Sequence, residues 1–351
     1  MGNQSFPVEQ FLQCLKDHQI LLADTRSEDE YAHAHIPGAV NLPLLRNEER
    51  KTVGTLYKNK GREAAILKGF ELVSPRAEEM VETARKMAAS ESVHLYCWRG
   101  GMRSNLMASL LETKGFHTAI LKGGYKAFRN WVIETYALPR KVLVLGGGTG
   151  SGKTAVLQQL RAAGEQVIDL EQIASHKGSA FGALGLPAQP SHEQFENLLA
   201  LEWAALDPNR TVWLENESRS IGSCILPANI YALIRNSEMI EMQVNIDQRK
   251  ERIKKEYGCF PAEVLTAIAR KIEKRLGPQH LKDAIESLEA GDLDHTILTV
   301  LNYYDKTYSH GNEKRSPGTI FTVPLEQTPP EQFAHQILEF ARAQKLTTTQ
   351  S

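Results

Sequence analysis

Three short apolar runs punctuate the first 140 residues: Ile20–Ala23, Val93–Tyr96 and Thr118–Leu121. Each is too short for a helix and has polar flanks, the pattern of a buried strand. Helical periodicity separates them, notably over Ala77–Ala89 and Ser104–Thr113. Strands alternating with helices predict a parallel sheet covered on both faces. The pattern restarts after Ala137-Leu138-Pro139-Arg140, where proline disfavours helix continuation, so a linker is expected there. This divides the chain into domains 1–136 and 137–351. In the second, Lys141–Leu145 reads as a strand, Gly146–Gly152 as a glycine-rich turn and Thr154–Ala163 as a helix. Further strands are expected at Gln166–Asp169, Thr211–Leu214 and Met239–Asn245. The last third reads as mostly helical, with Arg249–Glu256 and Glu263–Arg275 as helices and a frayed polar tail at Leu346–Ser351.

The 351 residues favour two domains, each able to bury its own core. A formal net charge of -1 provides no overall basic field for nucleic acid, though it leaves room for a local basic face. The four cysteines, Cys14, Cys97, Cys224 and Cys259, form no C-x-x-C pair and no cluster at zinc spacing, so a reducing compartment is expected. With no signal-peptide pattern and no run of ~20 apolar residues, the expected location is the cytoplasm, away from membranes.

Cys97 stands between a strand-like run and a helical pattern, and Trp98-Arg99-Gly100-Gly101-Met102-Arg103-Ser104 follows it. At such a turn the backbone N–H groups and the helix N-terminus favour anions. Arg99 and Arg103 add full positive charges. These features favour the thiolate, which is the nucleophile. Gly100 and Gly101 let the backbone curl around a bound anion. The alternative is a buried structural cysteine beside surface arginines.

Residues 5 to 131 resemble the rhodanese family. The likeness includes Leu22-Ala23-Asp24-Thr25-Arg26, His35-Ile36-Pro37-Gly38-Ala39-Val40-Asn41-Leu42-Pro43 and Gly123-Gly124-Tyr125 with Phe128. It implies a persulfide-carrying Cys97, a structural acid–arginine pair in Asp24 and Arg26, and structural roles for His33 and His35. One departure stands out. Rhodaneses that transfer sulfur place the loop arginine five residues after the cysteine, whereas Arg103 is six after Cys97. That spacing resembles related phosphatase-type loops and implies a wider cradle.

Gly147-Gly148-Thr149-Gly150-Ser151-Gly152-Lys153-Thr154 fits G-x-x-x-x-G-K-[ST] in full, between a strand and a helix. Its N–H groups and the Lys153 ammonium suit a di- or triphosphate, and the Thr154 hydroxyl suits Mg²⁺, although no metal site is certain. Thr211–Glu215 reads as a second strand ending in an acid. Glu215 or Glu217 could therefore orient a metal, or be solvated or paired with Arg219. The fold class is α/β, with an N-terminal rhodanese-like parallel sheet followed by a P-loop NTPase-like domain with a helical C-terminal part.

The order of the two loops and their connecting segments resembles the bacterial tRNA 2-selenouridine synthase family. The residues that carry this are Val53-Gly54-Thr55-Leu56-Tyr57-Lys58, Asp169-Leu170-Glu171, His176–Gly182, Phe195-Glu196-Asn197, Glu215–Gly222 and Tyr303-Tyr304-Asp305. The resemblance implies a transferase that replaces the sulfur of wobble 2-thiouridine in tRNA with selenium. The sulfur is first alkylated from geranyl diphosphate, and selenium from selenophosphate then displaces the geranylthio group. The cradle would accept selenophosphate or a cysteine-bound selenium. An enzyme supplying selenophosphate is an implied partner. The alternatives are a sulfurtransferase fused to a nucleotide-dependent kinase-like domain, and a non-catalytic sensor. For tRNA, the basic clusters Lys122–Arg129, Arg249–Lys255 and Arg270–Arg275 are candidates, as are nearby Tyr125, Phe128, Trp131 and Tyr257.

Overall fold

The computed structural model describes residues 4–13, 19–313, 315–316 and 318–348. Cys14 and residues 349–351 of the tail lie outside them. The chain divides into two compact units, Met1–Thr135 with Glu196–Ala200, and Tyr136–Phe195 with Leu201–Ser351.

The first unit runs β1 (Gln4–Phe6), α1 (Val8–Gln13), β2 (Leu21–Asp24), α2 (Glu28–His33), β3 (Val40–Asn41), α3 (Asn47–Val73), α4 (Ala77–Met87), β4 (Ser92–Tyr96), α5 (Met102–Glu112), β5 (His117–Leu121) and α6 (Gly124–Thr135). Its sheet has the order β1-β5-β4-β2-β3, and every pairing is parallel. β2 and β4 sit centrally. Their side chains Leu21, Ala23, Val93 and Leu95 are buried with Met107, Ala108 and Leu111 of α5 on one core. Each of the larger side chains among them contributes roughly 1.5–3 kcal/mol on burial. The expected strands and helices occur within a residue or two of their spans. The short edge strands β1 and β3 and the long helix α3 go beyond the sequence reading. α3 bends at Gly61, whose φ of +83° is helical for neither half.

The second unit runs β6 (Val142–Gly147), α7 (Lys153–Ala162), β7 (Gln166–Val167), α8 (Leu170–Ala174), α9 (His192–Ala204), β8 (Val212–Glu215), β9 (Ser220–Ile221), β10 (Cys224–Ile225), α10 (Ala228–Asn236), β11 (Met239–Gln243), α11 (Ile246–Tyr257), α12 (Ala262–Lys271), α13 (Glu273–Leu276), α14 (Pro278–Glu289), α15 (Leu293–Asn312), β12 (Ile320–Pro324) and α16 (Phe333–Ala343). The main sheet is parallel throughout in the order β12-β11-β6-β8-β7. Leu143 and Leu145 of β6, Trp213 of β8 and Ile240 of β11 share its core with Leu157 and Ile337.

Four expectations change. The strand at Gln166 ends at Val167, because the Asp169 carboxylate instead caps α8, accepting from the Gln172 N–H at 2.8 Å. The expected helix Glu263–Arg275 breaks at Ile272, which leaves helical geometry (φ −102°, ψ 10°). β12 adds a strand that the sequence reading missed, pairing with β11. The tail is not frayed as far as 348: Leu346 is buried, and Thr348 exchanges hydrogen bonds with Thr211, N to Oγ1 at 3.0 Å and Oγ1 from N at 2.9 Å.

Candidate functional site

Cys97 leaves the C-terminal end of the central strand β4, and α5 starts five residues later. The thiol is buried; its Sγ lies 3.4 Å from the Ser104 Oγ and accepts the Gly101 N–H at 3.3 Å. Burial pushes the thiol up. The Ser104 hydroxyl, the backbone amides of Ser104 and Arg99 and the Arg103 charge outweigh that, so Cys97 is held below the ordinary thiol range. This is the electrostatics of an activated nucleophile.

A second glycine pair fixes the loop from behind. The N–H groups of Tyr125 and Lys126, in the first turn of α6, donate to the carbonyls of Cys97 and Trp98 at 2.8 and 3.0 Å. Gly124 has φ +61°, and a Cβ there would meet the Cys97 carbonyl and the Gly100 nitrogen at 2.3 Å. Gly100 has φ +60°, and its Cβ would lie 2.3 Å from the Leu121 carbonyl. Both positions therefore require glycine. The Asp24–Arg26 pair supports the same strand ends. Arg26 is bidentate on Asp24, donates to the Ala34 carbonyl at 2.6 Å and stacks 3.9 Å from the centre of the Tyr125 ring. His35 stacks on Tyr31, and one of its ring nitrogens lies 2.9 Å from the Tyr31 carbonyl.

Arg103 sits in the first turn of α5, yet its guanidinium is engaged by Glu30, Nη1 to Oε2 at 2.7 Å. Sequence reasoning missed Glu30. Its signal was the capping box at the start of α2, where Glu30 accepts the Ser27 N–H at 3.2 Å. Beside the loop, α3 and α5 border a groove of about 1040 Å³. Its floor is apolar, with Leu44, Val53, Phe70 and Leu106, and Lys58, Arg62 and Arg99 line it with charge. Among the described residues, no carboxylate pairs with those three cations. Trp98 stands exposed next to the nucleophile.

In the second unit, β6 leads into the glycine-rich turn and α7 begins at Lys153, with Gly150 and Gly152 in the left-handed region (φ +77° and +90°). The Lys153 ammonium donates to the Gly147 carbonyl at 2.8 Å, so it folds back over the turn. The Thr154 Oγ1 donates to Glu171 Oε2 at 3.0 Å. Glu215 ends β8, and its Oε1 accepts the Glu171 N–H at 2.8 Å. Neither Glu215 nor Glu217 is solvated or paired with Arg219; both are buried beside Glu171. Burial and the neighbouring Glu171 push Glu217 up to about 8, and burial with Asp169, Glu171 and Glu217 holds Glu215 well above the carboxylate range. Thr154 and Glu171, together with phosphate oxygens and water, would suit Mg²⁺, which needs only one or two carboxylates from a protein. No group of three or more His, Cys, Asp or Glu among the described residues could hold a metal by itself.

α11 supplies two cations that the sequence reading assigned to a possible tRNA face. Arg249 is buried: its Nε donates to the Thr149 carbonyl at 2.9 Å, and Nη1 and Nη2 bind Asp305 at 3.0 and 2.6 Å. Arg252 donates to the Gly150 carbonyl at 3.0 Å. Lys250 and Lys254 pair with Asp294. Both guanidiniums therefore engage the P-loop backbone, Arg249 from a buried position and Arg252 from a half-buried one. The signal was their position straight after a parallel strand next to β6, where α/β sheets gather ligand-binding groups.

These two sites define a class: an α/β chain with a rhodanese-type cysteine loop in one unit and a P-loop in the other. Residues 7–130 match the rhodanese-like domain, and residues 140–287 match the tRNA 2-selenouridine synthase AAA domain. Proteins named tRNA 2-selenouridine synthase are similar along most of the chain. The one from Shewanella denitrificans is 33% identical, covering 92% of this chain and 96% of its own. That of Nitrosomonas europaea is 39% identical over 67% of this chain and 63% of its own, and that of Bdellovibrio bacteriovorus is 33% identical over 93% and 97%. The chain belongs to the tRNA 2-selenouridine synthase family. No helix among the described residues is long and apolar enough to cross a membrane.

Proposed function

We propose that this chain converts 2-thiouridine at the wobble position of tRNA into 2-selenouridine in two steps served by its two loops. In the first, the P-loop holds geranyl diphosphate. The thiouridine sulfur attacks C1 of the geranyl group, the C1–O bond breaks, diphosphate leaves, and a proton is lost from the base. Lys153, Arg249 and Arg252 are the cations that hydrogen-bond the P-loop turn, and fixed charge there would help the departing oxygens most. In the second, the Cys97 thiolate displaces geranylthiolate at C2, and the selenium of selenophosphate then displaces Cys97. Water cleaves the P–Se bond, giving phosphate and the selenated base. Substitution at carbon keeps selenium at one oxidation level throughout, whereas loading it onto the cysteine sulfur would require an oxidant.

The observation that carries this reading is the activated thiol in an anion cradle that is one residue longer than that of sulfur-transferring rhodaneses, in a chain that also forms a complete P-loop. The apolar groove beside the loop suits an alkylated base, and Trp98 offers a surface for stacking.

The test supplies Cys97→Ser and Lys153→Ala with either thiolated or geranylated tRNA and analyses digested nucleosides by mass spectrometry. Cys97→Ser is expected to accumulate geranylated tRNA without selenation. Lys153→Ala is expected to fail on thiolated tRNA and still selenate geranylated tRNA. Wild-type selenation by Cys97→Ser would overturn the assignment of the nucleophile. Turnover that requires ATP hydrolysis dependent on Lys153 would favour a kinase-like second unit.

A further inference from the structure

A cavity of about 60 Å³ lies directly against the P-loop, inside the second unit. Thr149 of the turn forms part of its wall. The rest is almost entirely apolar and comes from α11, α12, α14, α15 and the loop after α8, with Ile253, Leu265, Ala269, Ile297 and Leu301 prominent. Three of its hydroxyls already make hydrogen bonds within the unit. Tyr304 accepts the Ala180 N–H at 2.9 Å, Ser179 accepts the Phe181 N–H at 3.2 Å, and Thr296 donates to the Ala284 carbonyl at 3.2 Å. A nucleobase would set a polar edge against a lining that is almost wholly apolar, which is costly.

One face of α11 links the cavity to the phosphate site. Arg249, Ile253 and Tyr257 follow at i, i+4 and i+8, so they form a row along the helix. Arg249 contacts the turn at Thr149, while Ile253 and Tyr257 line the cavity. Ile253 approaches so closely that a Cβ on Gly150 would lie 2.8 Å from its Cδ1. A cationic end and an apolar continuation on one helix face match a ligand with an anionic head and a hydrocarbon tail. We infer that this cavity receives the hydrocarbon chain of a prenyl diphosphate whose diphosphate lies on the P-loop. The inference rests on the reading of the P-loop given above and adds the place of the chain. At about 10–15 Å³ per water, the cavity admits roughly four waters, so a chain longer than a few carbons must part α12, α14 and α15 from α11.

The experiment titrates the full-length chain calorimetrically with inorganic diphosphate, dimethylallyl diphosphate, geranyl diphosphate and ADP. Affinity is expected to rise along the first three, by about tenfold or more from inorganic to geranyl diphosphate as methylenes are buried, with ADP weaker than geranyl diphosphate. Ala269→Phe, which fills the cavity, should erase the gain and leave inorganic diphosphate binding unchanged. Val300→Phe, at a half-buried position on the wall, provides the same readout if Ala269→Phe does not fold. Equal affinity of wild type for inorganic and geranyl diphosphate, or an undiminished gain in a folded cavity-filled variant, would overturn the placement while leaving the P-loop reading intact. Failure of every diphosphate to bind, or a preference for ADP, would overturn the P-loop reading itself.

Discussion

Arg103 and Glu30 form a part-buried ion pair, 2.7 Å between Nη1 and Oε2, at the edge of the Cys97 cradle. Glu30 therefore neutralises the loop arginine that would otherwise attract an anionic donor, and the hydrogen bond and charge of Arg103 in turn draw the Glu30 carboxyl down against the opposing effect of burial. Glu30→Gln keeps a capping-box side chain for α2. It is expected to raise the selenation rate at low selenophosphate by about threefold or more, since an unmatched charge attracts anions more strongly. Initial rates against selenophosphate concentration check this. A rate that falls at low donor would show that Glu30 instead holds Arg103 in its working position.

Ser104→Ala tests the source of the thiolate. Among the contributions that lower the Cys97 thiol, the Ser104 hydroxyl is the largest. A thiol held low stays ionised as pH falls below the ordinary range of about 8.5. Losing the hydroxyl raises it, so the acid limb of iodoacetamide alkylation should move to higher pH, and alkylation at neutral pH should slow. An unmoved profile would assign the activation to the backbone and Arg103.

Gly100→Ala places a Cβ against the Leu121 carbonyl at φ +60°, where backbone and not a flexible side chain must yield. A cost of about 1–3 kcal/mol is expected from the strained conformation. Thermal melting should show it, with selenation lost beyond what the stability change explains. Gly69→Ala, within α3, serves as the control. A Cβ there meets nothing within 4 Å and the position is helical, so it should melt no lower than wild type.

Arg249→Ala removes the guanidinium from the P-loop and leaves Asp305 without that partner. Asp305 is partly exposed and can be hydrated, but Arg249 is buried, so the loss of its packing and hydrogen bonds should cost about 1–3 kcal/mol, read by thermal melting alongside binding. Diphosphate affinity should fall by about tenfold or more, as expected for a charge-assisted contact. Lysine at 249 should recover little, because a point charge cannot bind both Asp305 oxygens and the Thr149 carbonyl. Unchanged affinity in Arg249→Ala would limit Arg249 to bracing α15.

The chain's own pattern determined the α/β class, the central strands and both anion-binding loops. Those features are local: the apolar run of β4 and the G-x-x-x-x-G-K-T signature of the P-loop are complete within a few neighbouring residues. The short strands β1 and β3 escaped notice because two or three residues carry no period, and only pairing with β5 and β2 makes them strands. Tertiary structure alone decided what faces the loops. Glu30 reaches Arg103 across 73 residues, Arg249 reaches Thr149 across 100, and the buried state of Glu215 and Glu217 depends on the elements packed around β8. A basic cluster such as Arg249–Lys255 looks the same in sequence whether it faces water or a phosphate site. Its role is set by which neighbours remove it from solvent, and a parallel sheet draws those neighbours from distant parts of the chain.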